Sequence, residues 1–312
     1  MNVVVVGAGQ MGSIYGAAAH ENGHNVSFIE ANHAVVDRIN DAGLRIDHRD
    51  DRSSLYRIPA STDSSRLNIT ADLVLFQTKG WATRDAATGA RAVVGPETIL
   101  LTLQNGLGNE EIIRSVYPSN PLLIGVSVHT VTTVGTAHYS HTGVRNTALG
   151  PSGTDAVSAA RVAATVFTRA DFPVSVMPEA QVRHEQWAKF VLNCGSLPTM
   201  ALTRLPTDAA KNLMVVFDVM DSITRETCAI ARAAGIDLDA DERVAFQHEL
   251  FRTAGGRASM LGDVLAKRRT EIDTINGAAV MYAERHAVPA PLNRMMVGLI
   301  KGLEKAIELG EP

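Results

Sequence analysis

Apolar positions change their spacing near the middle of the chain. In the first half, short unbroken apolar runs recur at residues 2–6, 26–29, 71–76, 98–103 and 122–128. Runs of this length, rich in β-branched residues, suit strands buried on both faces. Stretches of helical character lie between them, at 13–21 and at 35–42, the latter closed by Gly43. Such alternation predicts a parallel sheet with right-handed crossovers and helices on both faces. The threonine-rich stretch 135–150 predicts antiparallel strands added at the sheet edge. Beyond about residue 175 the period becomes helical, over 179–190, 208–234, 240–253 and 270–287. The expected fold is therefore α/β: a doubly wound parallel sheet over residues 1–175, followed by an all-helical domain over 176–312.

The first apolar run leads directly into Gly7-Ala8-Gly9-Gln10-Met11-Gly12. Glycines at this spacing allow a tight turn, a close backbone approach and close helix–strand packing, in that order. The N–H groups of the helix that follows would face an anion at the turn, and a pyrophosphate suits that place. Gly7, Gly9, Gln10, Met11 and Gly12 are thus candidate cofactor contacts. Glu30 stands at the end of the second run, 18 residues after Gly12. A carboxylate there can accept hydrogen bonds from an adenosine ribose and repels a 2′-phosphate. The nearest following basic residue is Arg38, so this reading favours NADH over NADPH. The same position also suits a first solvated residue past a strand.

Length and composition agree with two ordinary globular domains: 312 residues, 46% hydrophobic and 20% charged. A net charge of −4 gives no basic footprint for nucleic acid or an anionic membrane. The valine run is too short to span a bilayer. Cys194 and Cys228 are too few for a disulfide framework, so a cytoplasmic setting is the default. The histidines His129, His138, His141 and His184 show no metal-ligand spacing, and no metal site is expected.

In open α/β sheets ligands lie beyond the carboxyl ends of the strands. Lys79 and Asn105 stand at two such ends. Lys79 is equally readable as a solvated loop lysine, and Asn105, before Gly106, as a left-handed turn residue. In the helical half, Lys189 and Asn193 are four residues apart and share a helix face. Burial beside Phe190, Val191 and Leu192 would lower the lysine's pKa and suit it to proton donation. The same spacing fits a lysine whose stem runs past the core to solvent. Thr270-Glu271-Ile272-Asp273 has the pattern of a capping box, which would set Glu271 in the first turn of a helix. Ser259 lies 12 residues earlier, and one straight helix would hold the two about 18 Å apart. They can share a site only if the chain breaks near 267–269.

In this order and spacing, these pieces resemble the ketopantoate reductase (2-dehydropantoate 2-reductase) family. The matching segments also include Gln77-Thr78-Lys79, Gln104-Asn105-Gly106-Leu107-Gly108, His141-Thr142-Gly143, Trp187-x-Lys189-x-x-x-Asn193, Ser259-Met260-Leu261 and Asn276-Gly277. The resemblance implies a Rossmann-type domain, a helical domain for substrate that could also carry a homodimer contact, and an active site in the cleft between the two domains. It further implies reduction of 2-dehydropantoate to pantoate, as in pantothenate biosynthesis. By the same resemblance Lys189 is the general acid, and Glu271 contacts lysine and substrate. Asn193 and Ser259 hold the substrate hydroxyl and carboxylate, while Lys79 and Asn105 line the cofactor and the reacting carbonyl. Two positions depart from the family pattern. Leu197 occupies the place of a second asparagine that contacts the substrate hydroxyl, which points to a more apolar 2-keto acid as the alternative substrate. Glu30-Ala31-Asn32 replaces a segment where NADPH-using members commonly have an arginine, so the family favours NADPH and this residue NADH. A further alternative is a dinucleotide sensor without catalysis, although such a protein needs neither Lys189 nor Glu271.

Overall fold

A computed structural model describes residues 1–153, 156–253 and 255–310 of the chain. Two compact units form: Met1–Gln104 with Asn109–Arg183, and Asn105–Gly108 with His184–Pro312.

The first unit holds strands β1 (Asn2–Val6), β2 (Asn25–Ile29), β3 (Leu44–His48), β4 (Ser53–Tyr56), β5 (Ala60–Ser61) and β6 (Ala71–Phe76). They are followed by β7 (Val94–Thr102), β8 (Leu122–Val126), β9 (Thr130–Gly135), β10 (His138–Gly143), β11 (Thr147–Pro151) and β12 (Val174–Val176). Its helices are α1 (Gln10–Glu21), α2 (His33–Ala42), α3 (Thr83–Gly89), α4 (Asn109–Val116) and α5 (Val157–Phe167). The large sheet has the order β12-β11-β8-β7-β6-β1-β2-β5 and is parallel from β8 to β5. The unbroken valine run of β1 follows from burial on both faces. Val3 and Val5 pack with α1 and α5, whereas Val4 and Val6 pack on the side of α3 and α4.

The stretch 135–150 departs from expectation. β11 does pair antiparallel with β8, but it lies inside the large sheet, with β12 beyond it. The hairpin β9–β10 belongs instead to a second sheet, β4-β3-β10-β9. Its one-sided pattern explains this: Leu44, Ile46 and Tyr139 are buried in one cluster with Ile14, Ala17 and Ala18 of α1. Strands with one apolar face need only one covering layer.

The second unit is helical, with α6 (Glu179–Thr203, starting in the last residues of the first unit), α7 (Thr207–Ala210), α8 (Met214–Ala233) and α9 (Ala240–Thr253). It closes with α10 (Ser259–Leu265), α11 (Asn276–Arg285) and α12 (Pro291–Glu308). Among the described residues no helix is long and apolar enough to cross a membrane.

α6 runs well past the expected residue 190 and carries Pro198 in its interior. A proline lacks the N–H that would bond the carbonyl four residues back. That carbonyl belongs to Cys194, and Asn276 Nδ2 donates to it at 3.0 Å. The same amide nitrogen donates to Asn293 Oδ1 at 3.0 Å, and Asn293 is itself bonded to Glu226 and Thr227. The fully buried Asn276 therefore supplies the bond that Pro198 cannot make.

The capping box expected at Thr270 does not form. Thr270 donates through its N–H and its Oγ1 to Glu304 Oε1, at 2.8 and 2.7 Å, and α11 begins only at Asn276. Glu271 is therefore not in the first turn of a helix but in a tight turn, where the N–H groups of Thr274 and Ile275 both donate to its carbonyl. The break expected near 267–269 is present: α10 ends at Leu265, and Lys267 has φ 52°.

Candidate active site

The first unit builds the turn after β1 from both sides. Gly7 has φ 101°, and a Cβ there would stand 2.9 Å from the Gln77 carbonyl oxygen. At Gly12 a Cβ would meet the Gly7 carbonyl oxygen at 1.8 Å, so α1 can pack this close only without a side chain. The Ala8 carbonyl accepts from Ser13 Oγ and from Tyr139 Oη, both at 2.9 Å. Gly9 caps α1 without a side-chain hydrogen bond, and a Cβ on it would point into open space. A 12-residue helix thus presents its first N–H groups, from Gln10, Met11 and Gly12, beside an open cradle. These features fit the pyrophosphate of a dinucleotide.

Glu30 lies where the fingerprint requires and is tied to the same turn. Its Oε2 accepts from the Ala8 N–H at 2.8 Å and its Oε1 from the Asn32 N–H at 2.9 Å. Each carboxylate oxygen retains a second lone-pair direction for a ribose hydroxyl. Lys79 follows β6 as the cap of a short 3₁₀ turn and is half-buried. A network that sequence reasoning missed holds this segment. Gln104 Nε2 donates to the Thr78 carbonyl at 2.9 Å and to Thr83 Oγ1 at 2.9 Å. Its partners lie 21 and 26 residues away, beyond any local sequence signal.

In the second unit, Lys189 of α6 donates from Nζ to Asn105 Oδ1 at 2.9 Å. Burial pulls its ammonium from the ordinary 10.5 down to about 8, and the charge of Glu271 opposes that descent. Glu271 is itself buried, at 7% exposure. Asn105 reaches the lysine on the loop 105–108, which is fitted against the turn carrying Glu271. The Leu107 N–H donates to the Thr274 carbonyl at 3.0 Å. Gly106 has φ 82°, and a Cβ there would stand 2.0 Å from that same oxygen. The left-handed residue is thus Gly106, and Asn105 is not among the positive-φ residues.

Asn193 and Leu197 continue the face of α6 one and two turns beyond Lys189, and both are buried, at 8% and 9% exposure. Ser259 is the exposed first residue of α10. The hydrogen bonds and charge effects thus join Lys189, Asn105 and Glu271, with Asn193 on the same helix face. This set can hold an ammonium beside a polar ligand and lower the cost of releasing its proton.

Comparison with known proteins identifies the family. Residues 3–153 match the family described as ketopantoate reductase PanE/ApbA, and residues 181–304 match its C-terminal domain. A 2-dehydropantoate 2-reductase from Vibrio cholerae is 30% identical over 98% of this chain and 99% of its own length. One from Pyrococcus abyssi is 28% identical over 97% and 98%. Among solved structures, a PanE/ApbA family ketopantoate reductase from Ralstonia eutropha superposes with a TM-score of 0.88, at 29% identity, over 99% of this chain and all of that one. A D-mandelate dehydrogenase, solved with NADH and anilino(oxo)acetate, shares the fold at a TM-score of 0.92 and 23% identity, over 99% of this chain and all of that one. The chain belongs to the ketopantoate reductase family and is an NAD(P)H-dependent oxidoreductase.

Proposed function

We propose that this protein reduces the keto group of 2-dehydropantoate, with NADH as cofactor and Lys189 as the proton donor. The observation that carries this reading is a half-buried lysine whose pKa is drawn down to about 8, bonded to Asn105 and facing the charge of Glu271. A donor of that strength is charged at neutral pH yet releases its proton readily, which suits general-acid catalysis. The cofactor is assigned to Gly7, Gly9, Gln10, Met11 and Gly12 at the pyrophosphate, Glu30 at the ribose, and Lys79 and Asn105 along the rest. When bound, the nicotinamide supplies the hydride that adds to the carbonyl carbon.

The remaining steps belong to side chains. Lys189 Nζ gives its proton to the carbonyl oxygen as the C=O bond becomes C–OH, and the neutral amine regains a proton from solvent. Glu271 keeps the amine charged until that moment, because an opposite charge favours the protonated form. Asn105 accepts one Nζ–H and so fixes the direction of another. Asn193 and Ser259 are assigned the substrate hydroxyl and carboxylate. The test is Lys189→Ala: turnover of 2-dehydropantoate should collapse while NADH binding, followed by fluorescence, is retained. Normal turnover would rule out the proton-donor role.

One observation favours a second reading, a more apolar 2-keto acid. Leu197 is buried two turns along the face that carries Lys189 and cannot bond a hydroxyl. A substrate hydroxyl left without a partner there would cost about 1–3 kcal/mol. Leu197→Asn should raise kcat/KM for 2-dehydropantoate relative to an unsubstituted branched keto acid. The opposite ratio would count against this placement.

A further inference from the structure

The loop that brings Asn105 to Lys189 leaves the first unit after Gln104 and returns to it at Asn109. Both residues at this neck are buried, and one hydroxyl joins them. Gln104 Nε2 donates to Thr83 Oγ1 at 2.9 Å, and Thr83 Oγ1 lies 2.8 Å from Asn109 Oδ1. The same hydroxyl is 2.9 Å from the Gly80 carbonyl. Thr83 is fully buried at the start of α3. Gln104 is held in turn by Thr78 and by Thr102, whose Oγ1 donates to Gln104 Oε1 at 2.9 Å. A hydroxyl suits this place because it can accept one hydrogen bond while donating another.

Gly106 and Gly108 both have positive φ, at 82° and 93°, and the Leu107 N–H bond to Thr274 fixes the loop near its tip. With its tip docked and its glycines permissive, the loop is also constrained at the neck. The backbone of Asn105 is bonded directly to Gln104, so the neck sets where the Asn105 amide begins.

We propose that Thr83 is a positioning residue for the reduction: by holding Gln104 to Asn109 it places Asn105, and through Asn105 it aims the proton of Lys189. The proposal rests on the reading of Lys189 as proton donor. Thr83→Val keeps the shape of the side chain and removes both of its hydrogen bonds. Displacing a reacting group by about 1 Å can cost about 10²-fold in rate.

The experiment has two readouts. In the first, the Lys189 amine is titrated by pH-dependent acetylation, quantified by mass spectrometry on the protein with no substrate present. Asn105 Oδ1 accepts from the ammonium and so favours the charged form, while Glu271 is the charge that faces it. Loosening Asn105 in Thr83→Val should lower the titration midpoint by about 0.5–1. Asn105→Ala should lower it in the same direction, and Thr83→Ser should restore it. In the second, kcat for 2-dehydropantoate should fall about ten- to a hundred-fold in Thr83→Val and by less than about two-fold in Thr83→Ser. Should Thr83→Val not fold, Asn109→Ala opens the same neck from its other side and must lower the midpoint too. An unmoved Lys189 midpoint in the folded variant overturns the proposal, because a purely structural role would lower the melting temperature alone. Full turnover by Lys189→Ala would instead overturn the proton-donor reading and leave the effect of Thr83 on the midpoint standing.

Discussion

If Lys189 carries its charge at a cost, removing the amine should leave the folded protein more stable while abolishing its chemistry. Its ammonium is drawn down from 10.5 to about 8, with burial opposed by the charge of Glu271. That descent corresponds to about 3 kcal/mol, reduced to about 1–3 kcal/mol because the residue is only half-buried and solvent screens part of the cost. The sign follows from which state binds the proton more tightly. Below about pH 8 both folded and unfolded chains hold it, and the folded state bears the full cost. Between about 8 and 10.5 the folded chain has released the proton and the unfolded chain has not, so wild-type stability recovers as pH rises. Lys189→Met should therefore stabilise at pH 7 and lose most of that advantage by about pH 10. Each kcal/mol amounts to about 2–4 °C in melting temperature for domains of this size. Thermal melts of both proteins across this pH range provide the assay. A variant that melts lower than wild type at pH 7, or a gain that does not shrink with rising pH, would mean that the Lys189 charge carries no such cost.

Three further outcomes follow from other contacts. The rate of reduction should fall as pH rises above about 8, where Lys189 loses its proton; in Glu271→Gln this basic limb of kcat should move to lower pH by about 1, and a limb that stays in place would deny Glu271 its tuning role. Glu30→Ala takes away the acceptor of the Ala8 N–H along with the proposed ribose contact, so NADH should bind at least about ten-fold more weakly by fluorescence titration, and undiminished affinity would place the ribose elsewhere. Asn276→Leu leaves the Cys194 carbonyl and Asn293 Oδ1 without their donor; denaturant unfolding should show a loss of about 2–5 kcal/mol, whereas a loss under about 1 kcal/mol would mean that α6 tolerates Pro198 unaided.

The parts of this molecule that could be read from sequence are those whose cause is local. The valines of β1, the glycine turn and α1 are consecutive, and burial of β1 on two faces leaves a run without polar interruption. The second sheet is not legible, because His138 of β10 meets Asp47 of β3 across 91 residues and nothing local to either strand names its partner. The extent of α6 was obscured by Pro198, whose lost hydrogen bond is replaced from Asn276, 82 residues from Cys194. The capping box failed for a similar reason: Thr270 had the right neighbours for a cap, but Glu304, 34 residues on, takes both its N–H and its hydroxyl proton. Lys189 and Asn105, 84 residues apart, could be placed at one site only through the family resemblance.

The placing of Asn105 and Glu271 around Lys189 depends less on those two side chains than on the backbone beneath them. Thr274 donates its N–H to the Glu271 carbonyl and offers its own carbonyl to the Leu107 N–H. One residue therefore sets the acid's turn and the amide's loop at a fixed spacing, through backbone bonds that any residue but proline at 274 can make. Gly106 is the position that cannot vary, since a Cβ there would stand 2.0 Å from the Thr274 oxygen. A substitution at Gly106 would have to lift the loop away and take the acceptor of Lys189 with it. The Asn105-Gly106 pair is thus one device: the glycine permits the contact that puts the amide beside the amine, and an asparagine without it would have no fixed place from which to reach Lys189.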